Sequence, residues 1–115
     1  MDREASSRVG PPMDGTDREL CAQMDELRRR IDGLDEQLVR LLNARAACAL
    51  DVGRLKERLR LETYQPEREL EVLNHARSVN GWPLDAGAIT RLFERIIDEA
   101  RRLEGRAHTT KVTNA

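Results

Sequence analysis

The chain has 115 residues, enough for one domain with a modest core. Charged residues make up 36% of it and aromatic residues only 3%, a balance that suits long helices better than a β-sandwich. Twenty basic residues stand against 21 acidic ones, a formal net charge of −1, which argues against binding nucleic acid or an anionic membrane through bulk charge.

Residues 1–19 are rich in Gly, Pro, Ser and charge and carry no periodic apolar set, so they read as a disordered tail. Asp17 is a candidate cap for an early helix start. A first helix is predicted from about Glu19 to Leu61. Steps of three and four from Met24 meet Leu27, Ile31, Leu34, Leu38, Leu41, Arg45, Cys48, Val52, Leu55 and Leu59. That is the seam of helices that pack along their length. A helix of about 40 residues is roughly 60 Å long, more than so short a chain covers by itself, so a partner is expected. Val39, Leu42, Ala46, Ala47, Ala49 and Leu50 flank the middle of the seam, which predicts burial there on two sides.

Pro66 breaks the pattern and fits the first turn of a second helix, with Gln65 just before it. Leu70, Leu73 and Ala76 or Arg77 give this helix a short apolar face, and Asn80-Gly81 is its expected stop. Trp82-Pro83 turns the chain, and Asp85 is the expected N-cap of a third helix. Its apolar residues are Ile89, Leu92, Phe93, Ile96, Ile97, Ala100 and Leu103. Gly105 is expected to close it, leaving 105–115 as a second disordered tail and 20–104 as the domain. The architecture predicted is all-α: a long, a short and a medium helix.

The two histidines are isolated and the two cysteines lack ligand spacing, so no metal site is expected. Cys21 and Cys48 lie about 40 Å apart on one predicted helix and cannot bridge within the chain. With no apolar run long enough to span a bilayer and no signal-peptide core, a cytoplasmic location is expected. Glycine-rich phosphate loops and nucleophile elbows are absent.

The informative residues are cationic. Arg45 is the only charge on the seam, and a guanidinium buried there needs an anion. Arg28 and Lys56 share a face but lie roughly 42 Å apart along a straight helix. An antiparallel copy of the helix brings Arg28 of one chain near Arg45 and Lys56 of the other, giving a two-fold dimer with two sites. Arg68 joins this set, which suits a dicarboxylate. Lys56 stands out further because the only other lysine is Lys111. The plainer alternatives are a register-fixing ion pair at Arg45 and solvated surface charges at Lys56 and Arg68. Arg29 and Arg30, among Asp25, Glu26, Asp32, Asp35 and Glu36, read as an exposed helix face.

In this order and spacing, five segments resemble the all-helical AroQ chorismate mutases over about Met24 to Glu104. They are Leu27 to Asp35, Leu41 to Arg45, Val52 to Lys56, Pro66 to Glu69 and Ile89 to Phe93. The resemblance implies an intertwined antiparallel homodimer acting without a cofactor on chorismate, in the shikimate route to phenylalanine and tyrosine. It implies that Arg28 crosses from the partner to one carboxylate of the substrate. Arg45 then holds a carboxylate from the same chain, and Lys56 binds the ether oxygen and a carboxylate. By the same resemblance Arg68 supports the anion site, Glu69 accepts from the ring hydroxyl, and Gln65 lies on the hydroxyl side with its backbone N–H available.

Three positions depart from the commonest bacterial pattern: Gln65 replaces an acid, Ala100 a serine and Glu104 a glutamine. Fungal members carry a glutamate at the last position and keep it protonated. The expectation is therefore that Glu104 is a neutral donor and that activity rises on acidification from neutral pH. Some relatives are fused to, or activated by, the first enzyme of the aromatic pathway, which leaves room for such a complex. Isochorismate pyruvate-lyases and amino-deoxychorismate mutases are rivals on the same scaffold. A non-catalytic helical dimerisation or regulatory module is a rival of another class.

Overall fold

A computed structural model describes residues 15–114, with side chains described as far as Arg106. Among the described residues there are three helices and no strand: α1 (Gly15–Leu59), α2 (Pro66–Val79) and α3 (Ala86–Asn114). This is the long, short and medium order expected. Residues 1–14 of the expected N-terminal tail lie outside the described set, but helix already begins at Gly15, and Asp17 sits within the first turn rather than capping it. At the other end α3 runs past Gly105 to Asn114. A helical glycine costs only about 1 kcal/mol relative to alanine, and no proline follows it to force a stop.

The chain divides into two compact units that meet at Arg40 and Leu41, within α1. The first is the N-terminal stretch of that helix. Its apolar stripe is uncovered: Leu27, Ile31, Leu34 and Leu38 are each more than half exposed.

The second unit holds the rest of α1 with α2 and α3. No residue of α1 is buried, and in this unit Leu41 and Leu59 stand largely in solvent, as Val39 does in the first. The double-sided burial expected for the middle of α1 is therefore not made within one chain. Helix α1 ends in a Schellman motif, in which the Leu61 N–H donates to the Lys56 carbonyl (2.8 Å) and the Arg60 N–H to the Glu57 carbonyl (3.1 Å). Arg60 takes the left-handed conformation, φ 61°, that this motif usually gives to glycine.

Pro66 opens α2 with Gln65 as N-cap, as expected, though the Gln65 side chain makes no capping bond. Ala76 of α2 and Ile97 of α3 form the buried core. Leu70, expected on the inner face of α2, is more than half exposed, because that face runs instead through Glu69, Val72, Leu73 and Ala76. Leu92 of α3 is likewise exposed. Helix α2 stops at Asn80, which is extended rather than left-handed; its N–H donates to the Arg77 carbonyl and its side-chain amide to the Leu84 carbonyl. Asp85 caps α3 as predicted, accepting from the Ala88 N–H at 2.8 Å. No described helix is long and apolar enough to cross a membrane.

Candidate active site

The second unit contains a cavity of about 430 Å³, within the range of small-molecule sites. Arg45, Lys56, Gln65, Arg68, Glu69, Ala100 and Glu104 all line it. Seven of the eight residues singled out in the sequence thus come together; Arg28, on the N-terminal stretch of α1, is not in the lining. The apolar walls come from Ala49 and Val52 of α1, Val72 of α2 and Ile97 of α3.

Lys56 is fixed at both ends. Its carbonyl closes the Schellman motif, and its ammonium donates to the Thr63 carbonyl (2.9 Å) and to Glu104 Oε1 (3.0 Å). Both side chains of this ion pair are nearly buried, with 14% of Lys56 and 10% of Glu104 exposed. Charge-assisted bonds in such surroundings are stronger than at the surface.

Glu104 reaches Lys56 because Gly53, one turn earlier on α1, has no side chain. A Cβ at Gly53 would lie 3.2 Å from Glu104 Cγ and 3.3 Å from its Cβ, closer than such atoms normally approach. Gly53 was visible in the sequence only as a glycine inside a helix, which says nothing about what packs on it.

Arg45 is half-buried and has no ion-pair partner among the described residues. That is unusual for a guanidinium on a seam, and it leaves the fork free for an anion. Arg68 is exposed and touches Glu71 at 3.3 Å.

On the opposite wall, Arg101 of α3 grips Glu69 of α2. Its Nη2 donates to Oε1 (2.8 Å) and Oε2 (2.9 Å), and its Nε donates to Oε2 (3.1 Å). The guanidinium also lies over the Tyr64 ring, 5.0 Å from the centroid. The hydrogen bonds to Glu69 raise the Arg101 pKa above the ordinary arginine value. Arg101 and Tyr64 were not picked out in the sequence. The ion pair spans two helices, and no local pattern marks it.

The lining therefore carries four cations, Arg45, Lys56, Arg68 and Arg101, against two carboxylates, Glu69 and Glu104. A surplus of two positive charges in a small, partly apolar cavity suits a dianion.

The family model for chorismate mutase type II matches residues 27–105. A bifunctional chorismate mutase/prephenate dehydratase from Pseudomonas aeruginosa is 44% identical over 87 residues, covering 71% of this chain but 24% of that protein. The chain thus spans about a quarter of the length of such bifunctional relatives. A chorismate mutase from Methanocaldococcus jannaschii is 25% identical, over 74% of this chain and 87% of that protein. Form II of the Thermus thermophilus chorismate mutase superposes with a TM-score of 0.71 at 32% identity, covering 73% of this chain and 96% of that one. The Helicobacter pylori chorismate mutase in complex with prephenate also gives 0.71, at 26% identity, covering 76% and 96%. The fold, the residues gathered at the cavity and these matches together place the chain in the type II chorismate mutase family.

Proposed function

We propose that the chain catalyses the rearrangement of chorismate to prephenate, as a homodimer, in the biosynthesis of phenylalanine and tyrosine. The observation that carries this reading is the cavity itself: a nearly buried lysine beside an unpaired arginine, with two positive charges in surplus.

Chorismate brings two carboxylates and an enolpyruvyl ether. The ether C–O bond breaks while a C–C bond forms, and no proton or cofactor has to be exchanged. The protein's work is to hold the side chain over the ring and to place positive charge where the ether oxygen gains negative charge. A million-fold acceleration needs only about 8 kcal/mol.

In this reading Arg45 holds a carboxylate, and the Lys56 ammonium serves the ether oxygen. Arg68 supports the anion, while Gln65 and Glu69 face the ring hydroxyl. Ala100 leaves room beside the carboxylate. In the empty cavity Lys56 and Glu104 are bonded to each other. In this reading the ether oxygen comes to lie beside both the Lys56 ammonium and Glu104.

Arg28 completes the site from a partner chain. The support is the uncovered stripe of α1, since burying one leucine side chain is worth about 1.5–3 kcal/mol and several are more than half exposed. The two free cysteines fit a reducing, cytoplasmic setting. A complex with the first enzyme of the aromatic pathway is compatible with this reading.

The test is spectrophotometric loss of chorismate with the pure chain, with prephenate confirmed as product and with isochorismate and the amino analogue offered in parallel. Turnover of chorismate to prephenate is the expected result. Folded, self-associated protein that leaves chorismate untouched overturns the reading. Preference for isochorismate or the amino analogue reassigns it within the scaffold. Arg45→Leu separates an enzyme from a dimerisation module: an enzyme loses activity and stays associated, whereas a module associates more tightly and keeps its role.

A further inference from the structure

We propose that Arg101 is a positioning and specificity residue: by clamping Glu69 it fixes one hydrogen-bond acceptor on the cavity wall and cancels that acceptor's charge. A dianionic ligand that brings a donor on its ring is then admitted. This deepens the chorismate reading and rests on it.

Three observations support the proposal. First, Arg101 has no fork left for a ligand, because Nε and Nη2 are spent on Glu69 and Nη1 faces Asp98 at 3.8 Å. In this it differs from Arg45, so Arg101 acts through Glu69. Second, Arg101 engages both Glu69 oxygens through Nε and Nη2, which occupies the edge of the carboxylate that faces it. Only the lone pairs on the other side remain for a ligand's hydroxyl or amine donor. Third, the cavity keeps its surplus of two positive charges only while Arg101 cancels Glu69. With Arg101 gone, Glu69 stands as an uncompensated anion facing a dianion, and the surplus falls to one.

The guanidinium is itself held from several sides. The Tyr64 ring lies under it, and Asp98 flanks it from the same helix. The clamp ties α2 to α3 across the cavity, so the acceptor's direction is fixed before a ligand arrives.

Steady-state kinetics on chorismate with the full chain test this. An uncompensated Glu69 repels substrate and transition state alike, so Arg101→Gln should raise KM about tenfold or more and change kcat less than about threefold. Glu69→Gln removes the exposed charge but carries a cost of its own, so the double variant should match Glu69→Gln alone and show a lower KM than Arg101→Gln. Arg101→Lys keeps the charge without the fork, and its KM should stay within about threefold of the native value.

A merely structural role would lower kcat and the fraction folded together, and the second substitution would not rescue it. Unchanged KM in Arg101→Gln overturns the inference, as does a double variant no better than the single one. If Arg101→Gln does not fold, Arg101→Lys decides: an increase in KM beyond about tenfold overturns the charge argument. Native protein without turnover overturns the functional reading and this inference with it. Native turnover with an indifferent Arg101 overturns this inference alone.

Discussion

The two units of this chain use charge differently. In the N-terminal stretch of α1, Arg29 pairs with Glu26 and Arg40 with Glu36, one turn apart and largely in solvent. Hydrogen bonding to Glu26 raises the Arg29 pKa, yet an exposed pair of this kind adds little to stability. The unit that begins at Leu41 has such local pairs too, Arg54 with Asp51 and Arg95 with Glu99, but there Lys56 also pairs with Glu104 and Arg101 with Glu69, 48 and 32 residues away, the first pair nearly buried and the second partly exposed. Local pairs keep a helix soluble. Pairs between helices hold charged groups in fixed places around a cavity, the arrangement that chemistry requires.

The sharpest way to break this contrast is at Lys56. Lys56→Gln should lower kcat by about a thousandfold, as expected when a donor aimed at developing charge is lost. The amide can still donate to Glu104, so the nearly buried carboxylate is not left bare and the fold should survive. Chorismate loss and far-UV circular dichroism on the same sample check both points. A variant that stays fully active removes Lys56 from the mechanism.

The next test lies in the first unit. Leu34→Asp puts a carboxylate into the uncovered stripe and should weaken self-association about a hundredfold, roughly 3 kcal/mol. Activity should then fall with dilution, because the proposed site borrows Arg28 from a partner. Sedimentation velocity and activity against protein concentration measure the two effects. Arg30→Gln, on the charged face of the same stretch, should leave both unchanged.

The same contrast explains what the sequence made legible. Helix periodicity marked α1, α2 and α3 because apolar spacing is a local signal, and Pro66 and Asp85 punctuated it through local chemistry. Arg45 was readable because a charge on an apolar seam violates the pattern it sits in. Lys56 and Arg68 were readable as members of a cationic set with Arg28 and Arg45, whereas Gln65, Glu69, Ala100 and Glu104 entered through resemblance. Arg101 was not readable, since it is one of many arginines and its partner is brought close only when α2 packs on α3. Gly53 was not readable for the same reason: its meaning lies in the stem of Glu104. The extension of α3 past Gly105 was missed because a glycine weakens a helix without ending it.

Glu104 sharpens the contrast at smaller scale. Glu104→Gln supplies a permanent donor and releases Lys56 from its ion pair. Activity at neutral pH should then rise a few-fold and its pH dependence should flatten. A pH–kcat profile of both proteins checks this. An unchanged profile makes Glu104 a structural partner of Lys56 and nothing more.

The smallest effect is expected at Arg60, where α1 turns toward the cavity. Arg60 holds φ 61°, a conformation that crowds any Cβ, and its exposed side chain makes no hydrogen bond or ion pair among the described residues. Arg60→Gly relieves that crowding but adds freedom to the unfolded chain, so the net gain should be about 0.5–1 kcal/mol. For a domain near 100 residues this raises Tm by about 2–8 °C. The Lys56 carbonyl still closes the Schellman motif in the variant, so kcat and KM should not move. A Tm that falls would mean the Arg60 side chain holds the turn. A kcat that falls with Tm unchanged would mean that the stiffness of this turn, passed through the Thr63 carbonyl, helps aim the Lys56 ammonium.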